Sequence, residues 1–473
     1  MFLRVTLLAC IPDRLALGMM RGKLDFKVSS INVKIMWHRR ILLVTILLLA
    51  IHRPTADAAQ VQEFVLDNGL KVLLLEDHKS PAVTFQVWYR VGGRNEKDGK
   101  SGLAHFLEHM MFKGTPTTGP EEYSRIIAKN GGRSNAFTSS DVTVYFATMS
   151  REKIGIELEL EADRMTNALL GETYFEAEKK VIQEERRLRT EDNPAAALGE
   201  VANAVAFMIH PYRRPVVGWM EDIQNLTRQD LVDFYKLYYE PNNAFIVVCG
   251  DFSSDDILAK IRAAFGKIPR GAEPPKVLAQ ELEQRGERRV IVKKEAELPV
   301  TLLFYHAPNL KSPDSFALDL LSVVLAGGRS SRLYHELVYQ KRLVRNVDAD
   351  YSGVAIDPMG FSITAQLLPG VEPTNLEREL DRLVEKVKSE LISDRELQKA
   401  KNQIEAAFVF AQDSVFGQAM KVGSYEAAGG WKQMEGYLDG IRKVTRDDIR
   451  RVARQYLKTD TRTVGTLIPT KAQ

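Results

Sequence analysis

The spacing of apolar positions divides the chain into strands and helices that alternate twice. "LKVLLLED" (70–77) and "AVTFQVWYRVG" (82–92) are short and rich in apolar and β-branched residues, and read as adjacent strands. "GLAHFLEHMMF" (102–112) returns its apolar residues every three or four positions, the period of a helix. "SNAFTSSDVTVYFATM" (134–149) alternates polar with apolar, like a strand at an exposed edge. Two long amphipathic helices follow, at 151–170 and 173–190, the second opened by a capping box from Thr173 and Glu176. Strands, then helices, then strands again predict an α+β fold in which a largely antiparallel sheet packs against helices.

The pattern then repeats. "NLTRQDLVDFYKLYY" from Asn225 matches "KVTRDDIRRVARQYL" from Lys443, with Thr227 and Thr445, Asp230 and Asp448, and Tyr238 and Tyr456 each 218 apart. "PAVTFQVWYR" from Pro81 matches "LPVTLLFYHA" from Leu298 at an offset of 217. Two independent anchors at nearly one offset predict two homologous domains, 59–270 and 290–473, in the usual size range. The join at 271–289 is rich in proline, glycine and charge, and reads as a linker.

The start of the chain differs. Arg39 and Arg40 precede an apolar run of 11 residues from Ile41 to Ile51, and Ala56-Asp57-Ala58 follows. That is the layout of a secretory signal, so residues 1–58 are expected to be an export signal with an over-extended start, Met36 being the better one. The run is too short to span a bilayer, which takes about 20 residues, so no stable membrane span is expected. Periplasmic or secreted location is the expectation. An organellar transit peptide is the alternative, since residues 1–40 are basic with only Asp13 and Asp25 as acids. Cleavage after Ala58 leaves 415 of the 473 residues and one cysteine, Cys249, an inert core thiol in an apolar strand. A net charge of +3 gives no reason to invoke nucleic acid.

Candidate chemistry lies in "GLAHFLEHMMFKGT". On a helix His105 and His109 share a face and can present two imidazoles to one ion. A zinc ion so held polarises a carbonyl and lowers the pKa of the water it binds, and Glu108 stands close enough to take the proton. A catalytic zinc needs a third protein ligand. Acids on the helix at 173–190 can supply it. Glu178 and Glu185 are seven apart, two turns on one face, so that one could bind metal while the other braces a histidine. The other acids there read as a solvated face. At offsets of 217 or 218 the second repeat has "LLSVVLAGG" in place of the triad, as expected if the triad serves chemistry and the fold does not need it.

These stretches, with "LDNGLKVLLLED", "VGGRNEKDGKSGLAHFLEHMMFKGT", "GGRSNAFTSSDVTVYFA", "EKKVIQEE", "HPYRRPVVGWMEDIQNLT" and "YYEPNNAFIVVCGD", resemble the pitrilysin/insulinase family of zinc peptidases, in particular its short two-domain members. The resemblance covers nearly all of 62–470. It implies Zn2+ bound by His105, His109 and Glu185, Glu108 as general base, and Glu178 as the brace beyond the ligands. It implies peptide substrate pairing with the "SNAFTSSDVTVY" strand around Asn135, Ala136 and Phe137, and a structural role for His210. Active relatives enclose substrate between four such domains, which implies a homodimer or a heterodimer with a related non-catalytic subunit. Many relatives grip substrate with an Arg and a Tyr from the other half. The corresponding strand here is expected at "GFSITAQ", which offers Ser362 and no arginine, while Arg332 and Tyr334 are expected to be structural. The implied function is a secreted zinc metalloendopeptidase; the alternatives are an idle scaffold subunit and an organellar presequence-processing subunit.

Overall fold

The computed structural model describes residues 60–470, and the expected export signal lies outside them. The first sheet holds β1 (Gln62–Val65), β2 (Lys71–Glu76), β3 (Ala82–Tyr89), β4 (Arg133–Thr138), β5 (Thr143–Ser150) and β6 (Ala244–Gly250), in the order β1-β2-β6-β3-β5-β4. The second holds β7 (Arg288–Glu295), β8 (Val300–Tyr305), β9 (Val344–Tyr351), β10 (Phe361–Leu367) and β11 (Arg462–Thr470), ordered β7-β11-β8-β10-β9. Without β1 the two orders are the same. Each sheet has one parallel pair, β2–β6 and β7–β11, and is otherwise antiparallel. The duplication is thus a repeat of topology as well as of sequence.

Three local expectations are corrected. The strands at 70–77 and 82–92 are not neighbours, because β6 inserts between them, parallel to β2 and antiparallel to β3. The stretch 134–149 is a hairpin, β4 turning into β5 at the polar run Ser139-Ser140-Asp141, which interrupts the alternation and marks the turn. The helix after Gly171 has no capping box: Gly171 is its N-cap, with no side-chain cap bond. Boxes form instead at Ser393/Glu396 and, at matched places in the two repeats, at Thr227/Asp230 and Thr445/Asp448.

The helices that shape the site are α1 (Leu103–Met110), α2 (Glu172–Arg186), α3 (Pro194–Ala206), α4 (Arg228–Tyr238), α5 (Asp314–Ala326), α6 (Asp394–Phe410), α7 (Val415–Ala428), α8 (Tyr437–Lys443) and α9 (Arg446–Tyr456). α1 packs on β4, α2 and α4; its counterpart α5 packs on β9, α6 and α9. Burial aligns the two helices more finely. Leu103, Ala104, Phe106, Leu107, Met110 and Met111 are buried, and so are the residues 214 further on, Ala317, Leu318, Leu320, Leu321, Val324 and Leu325. The counterparts of His105, Glu108 and His109 are therefore Asp319, Ser322 and Val323, three or four positions before those that the strand offset gives.

The two halves exchange helices. α3, from the first, lies on β7, β8 and β11, with Leu198 packed between Val300 and Leu467. α7, from the second, lies on β3 and β6, closing an apolar layer around Trp88, Phe245 and Val247. Gly423 is required there, since a Cβ would stand 2.2 Å from the Trp88 ring. Cys249 is buried in this layer, its thiol pushed up to about 12 by burial. No described helix is long and apolar enough to cross a membrane.

Candidate metal centre

α1 commits one face to the core, leaving His105, Glu108 and His109 on the other. Its start is built without a capping side chain of its own. Gly102 has φ +92°, and a Cβ there would meet the Val217 carbonyl at 2.7 Å. Buried Glu96 supplies the missing acceptors, its two carboxylate oxygens taking the Gly102 and Ala104 N–H groups at 2.8 Å each. Phe106 stacks on Phe175 of α2, ring centroids 4.8 Å apart, which fixes the spacing of the two helices.

That spacing brings the acids to the imidazoles. Glu185 Oε2 lies 3.3 Å from His109 Nε2, and Glu185 Oε1 3.7 Å from His105 Nε2. One ligand atom from each of the three residues falls within 4.8 Å of the others. Ligand atoms on a tetrahedral zinc with bonds of about 2.1 Å stand about 3.4 Å apart, so this donor set fits the ion. Glu178 turns to the far side of His109, Oε1 2.8 Å from Nδ1, and its other oxygen meets Lys113 Nζ at 2.9 Å. Such a bond leaves Nε2 as the lone-pair nitrogen facing Glu185. Arg189 Nη1 stands 2.6 Å from Glu185.

Electrostatics divide the histidines. Burial takes His105 down to about 4, with His109 adding to the effect. Burial also opposes a charge on His109, but hydrogen bonds to Glu178 and Glu185 outweigh it and bring the ring up to about 9. Glu185 goes to about 2: burial opposes the fall, and the His109 hydrogen bond with the charges of His105, His109 and Arg189 wins. The pocket is thus made to hold positive charge between His109 and Glu185, where a divalent cation could replace a proton.

Glu108 points the other way, to β4. Thr138 Oγ1 donates to Glu108 Oε2 at 2.6 Å, while burial raises the carboxyl above its ordinary range. β4 is an edge of its sheet, with no described strand on its outer side. Ala136 and Thr138 face the α1 side. Phe137 faces away, edge-on to Trp88, and Asn135 Oδ1 accepts from the Ala136 N–H. Phe137 therefore offers this cleft main chain only.

His210 stands apart, Nε2 3.1 Å from Asp357 and Nδ1 accepting from the Tyr212 N–H. Arg332 pairs with Glu396. Ser362 lies on β10, an inner strand; the outer strand matching β4 is β9. Thr138, Glu96, Lys113 and Arg189 are contacts the sequence analysis missed. Lys113 and Arg189 follow His109 and Glu185 by four, a spacing that could have flagged them. Nothing local marks the other two.

Residues 71–218 match the profile of the insulinase family, peptidase family M16, and residues 225–404 that of the peptidase M16 inactive domain. The zinc protease PqqE of Helicobacter pylori is 35% identical over 401 residues, 84% of this chain and 90% of that protein. The crystal structure of a protease from Helicobacter pylori superposes with a TM-score of 0.85 at 34% identity, covering 87% of this chain and all of that one. The periplasmic protease PqqL from Escherichia coli shares the fold, with a TM-score of 0.72 at 19% identity; the match covers 88% of this chain but 48% of PqqL. The chain belongs to the insulinase family of peptidases, M16, as a short two-domain member.

Proposed function

We propose that this chain is an exported zinc metalloendopeptidase that cuts peptides or unfolded segments. The observation that carries the reading is the closure of one carboxylate, Glu185, on both imidazoles of α1, with Glu178 bracing His109 from behind. His105, His109 and Glu185 hold zinc, which supplies Lewis acidity to the substrate carbonyl and acidifies water. Glu108 takes the proton of the attacking water and hands it to the leaving amine. Burial prepares it for this by raising its proton affinity, and Thr138 aims the carboxylate. Substrate lies extended along the free edge of β4 near Asn135 and Ala136, held by main-chain hydrogen bonds.

PqqL has room in its length for two units like this one, which supports pairing of this chain with a second copy or a related subunit. The match to an inactive-domain profile falls on 225–404, downstream of all five site residues, so it gives the idle-scaffold reading no support at the site itself. The test is Glu108→Gln. It should keep zinc at one per chain and lose peptide cleavage, as should wild type treated with a chelator; cleavage by the variant at the wild-type rate overturns the mechanism. Sequencing the mature N-terminus checks export: a start at Ala59 supports it, and a start well upstream favours the organellar alternative.

A further inference from the structure

A polar cluster joins the two halves at the turn of the hairpin that carries Thr138. Its centre is Tyr212, buried together with His210 in the segment after α3. The Tyr212 hydroxyl donates to Asp141 in the β4–β5 turn, 2.7 and 2.9 Å from its two oxygens, and accepts the Asp357 N–H at 3.2 Å. Asp357 and its neighbour Ile356 belong to the second half, in the loop between β9 and β10. The Ile356 N–H also donates to Asp141, at 3.0 Å. Arg94 completes the cluster: its guanidinium pairs with Asp357 and stands 3.5 Å from Asp141. His210 adds a bond to the Asp357 carboxylate.

These ties converge on the turn. Within it Ser139 Oγ accepts the Asp141 and Val142 N–H groups at 3.1 Å each. The loop holding Arg94 is stitched to the same place, its Gly93 and Arg94 N–H groups donating to the Ser139 and Ser140 carbonyls at 3.1 and 2.8 Å. One residue before the turn is Thr138, the last of β4, whose hydroxyl fixes the Glu108 carboxylate. β4 is paired on one side alone, with β5, so whatever holds its turn end holds Thr138. Apolar packing would join two domains without the cost of taking two carboxylates out of water. A satisfied polar network instead admits one geometry. We infer that Tyr212 and Asp357 are positioning residues: through the Asp141 turn, the second half, which holds none of the metal-facing side chains, sets where Thr138 aims Glu108. This role presupposes the peptidase reading above and gives the second half a part in it.

The test starts from Tyr212→Phe, which removes one hydroxyl and keeps the ring against Phe207. On the casein peptide that the zinc-loaded wild type cuts fastest, kcat should fall about fivefold, a modest share of what misplacing a catalytic group can cost. KM should stay within about twofold, since the β5 ladder still holds Asn135 and Ala136. Joined to Thr138→Val, which by itself should cost about tenfold, Tyr212→Phe should add nothing, whereas independent effects would multiply to about fiftyfold. Asp357→Ala should lower kcat in the same way. Tyr235→Phe, which removes a hydroxyl bonded to the Arg164 and Met165 carbonyls, should not. In zinc-loaded Tyr212→Phe, hydrogen exchange at the Arg94 and Ser139 N–H groups should quicken about tenfold, with no change along β6. Multiplied losses in the double variant, or unchanged exchange at Ser139, overturn the inference. So does wild-type kcat in Asp357→Ala, which would confine the tie to the first half. Cleavage by Glu108→Gln would instead overturn the peptidase reading, on which the exchange result does not depend.

Discussion

Helices α1 and α5 bury the same six positions against equivalent sheets and differ almost only on the side turned away. In the first half that side carries His105, Glu108 and His109, faced by the acids of α2. In the second it carries Asp319, Ser322 and Val323. α6 follows suit: Leu397, Ala400 and Ile404 repeat the inward spacing of Phe175, Glu178 and Ile182, which puts alanines, Ala400 and Ala407, where α2 has Glu178 and Glu185. The second cleft is also filled. Tyr437 of α8 donates to Asp319 at 3.0 Å and packs against Phe316 and Phe408. The fold thus needs only the inward face of this helix. The outward face is free to hold a metal, or to be closed with aromatic rings, at no cost to the core.

Substitutions can set the two faces against each other. Glu185→Ala should weaken zinc binding more than 100-fold (~3 kcal/mol or more) and leave cleavage at background, whereas Ser322→Ala should change neither; lost activity in Ser322→Ala would break the contrast. Glu178→Gln should weaken zinc about 10- to 100-fold in a competition titration, the usual cost of losing a group that orients a ligand. Thr138→Val should lower kcat about tenfold. It should also move the acid limb of the pH–rate profile upward, because the lost hydrogen bond was holding the Glu108 pKa down against burial. The smallest effect is on stability. Burial pushes Asp319 up to about 7, so its carboxyl favours folding when protonated and disfavours it once ionised. Stability should fall as pH rises from about 4 to 7, and Asp319→Asn should gain about 1–3 kcal/mol at pH 8 in urea unfolding, shrinking towards nothing at pH 4.

What could be read from sequence was whatever one helix encodes by itself. The four-residue step from His105 to His109 and the seven-residue step from Glu178 to Glu185 place side chains on faces before any tertiary structure exists. Two well-spaced anchors likewise sufficed for the duplication. What could not be read depends on distant pairing. β6 enters the sheet between β2 and β3 from about 170 positions away, and no local pattern announces it. Thr138 and Glu96 matter only because β4 and the loop before α1 are brought to the helix. The triad's counterpart was placed three or four residues too late because the chain from Thr301 to Asp319 is three residues shorter than that from Thr84 to His105, and an offset taken from strands does not carry across it.

The exchange of α3 and α7 has a bearing on how the chain comes into being. Until synthesis has passed Ala428, the strand face bearing Trp88 and Phe245 has nothing to lie against, so the half with the histidines stays unfinished through most of translation. A fragment stopping after the first repeat would carry every metal-facing residue and still lack the lid on its sheet. Completion of nearly the whole polypeptide is thereby made a condition of covering the far face of the sheet on which the histidine helix packs.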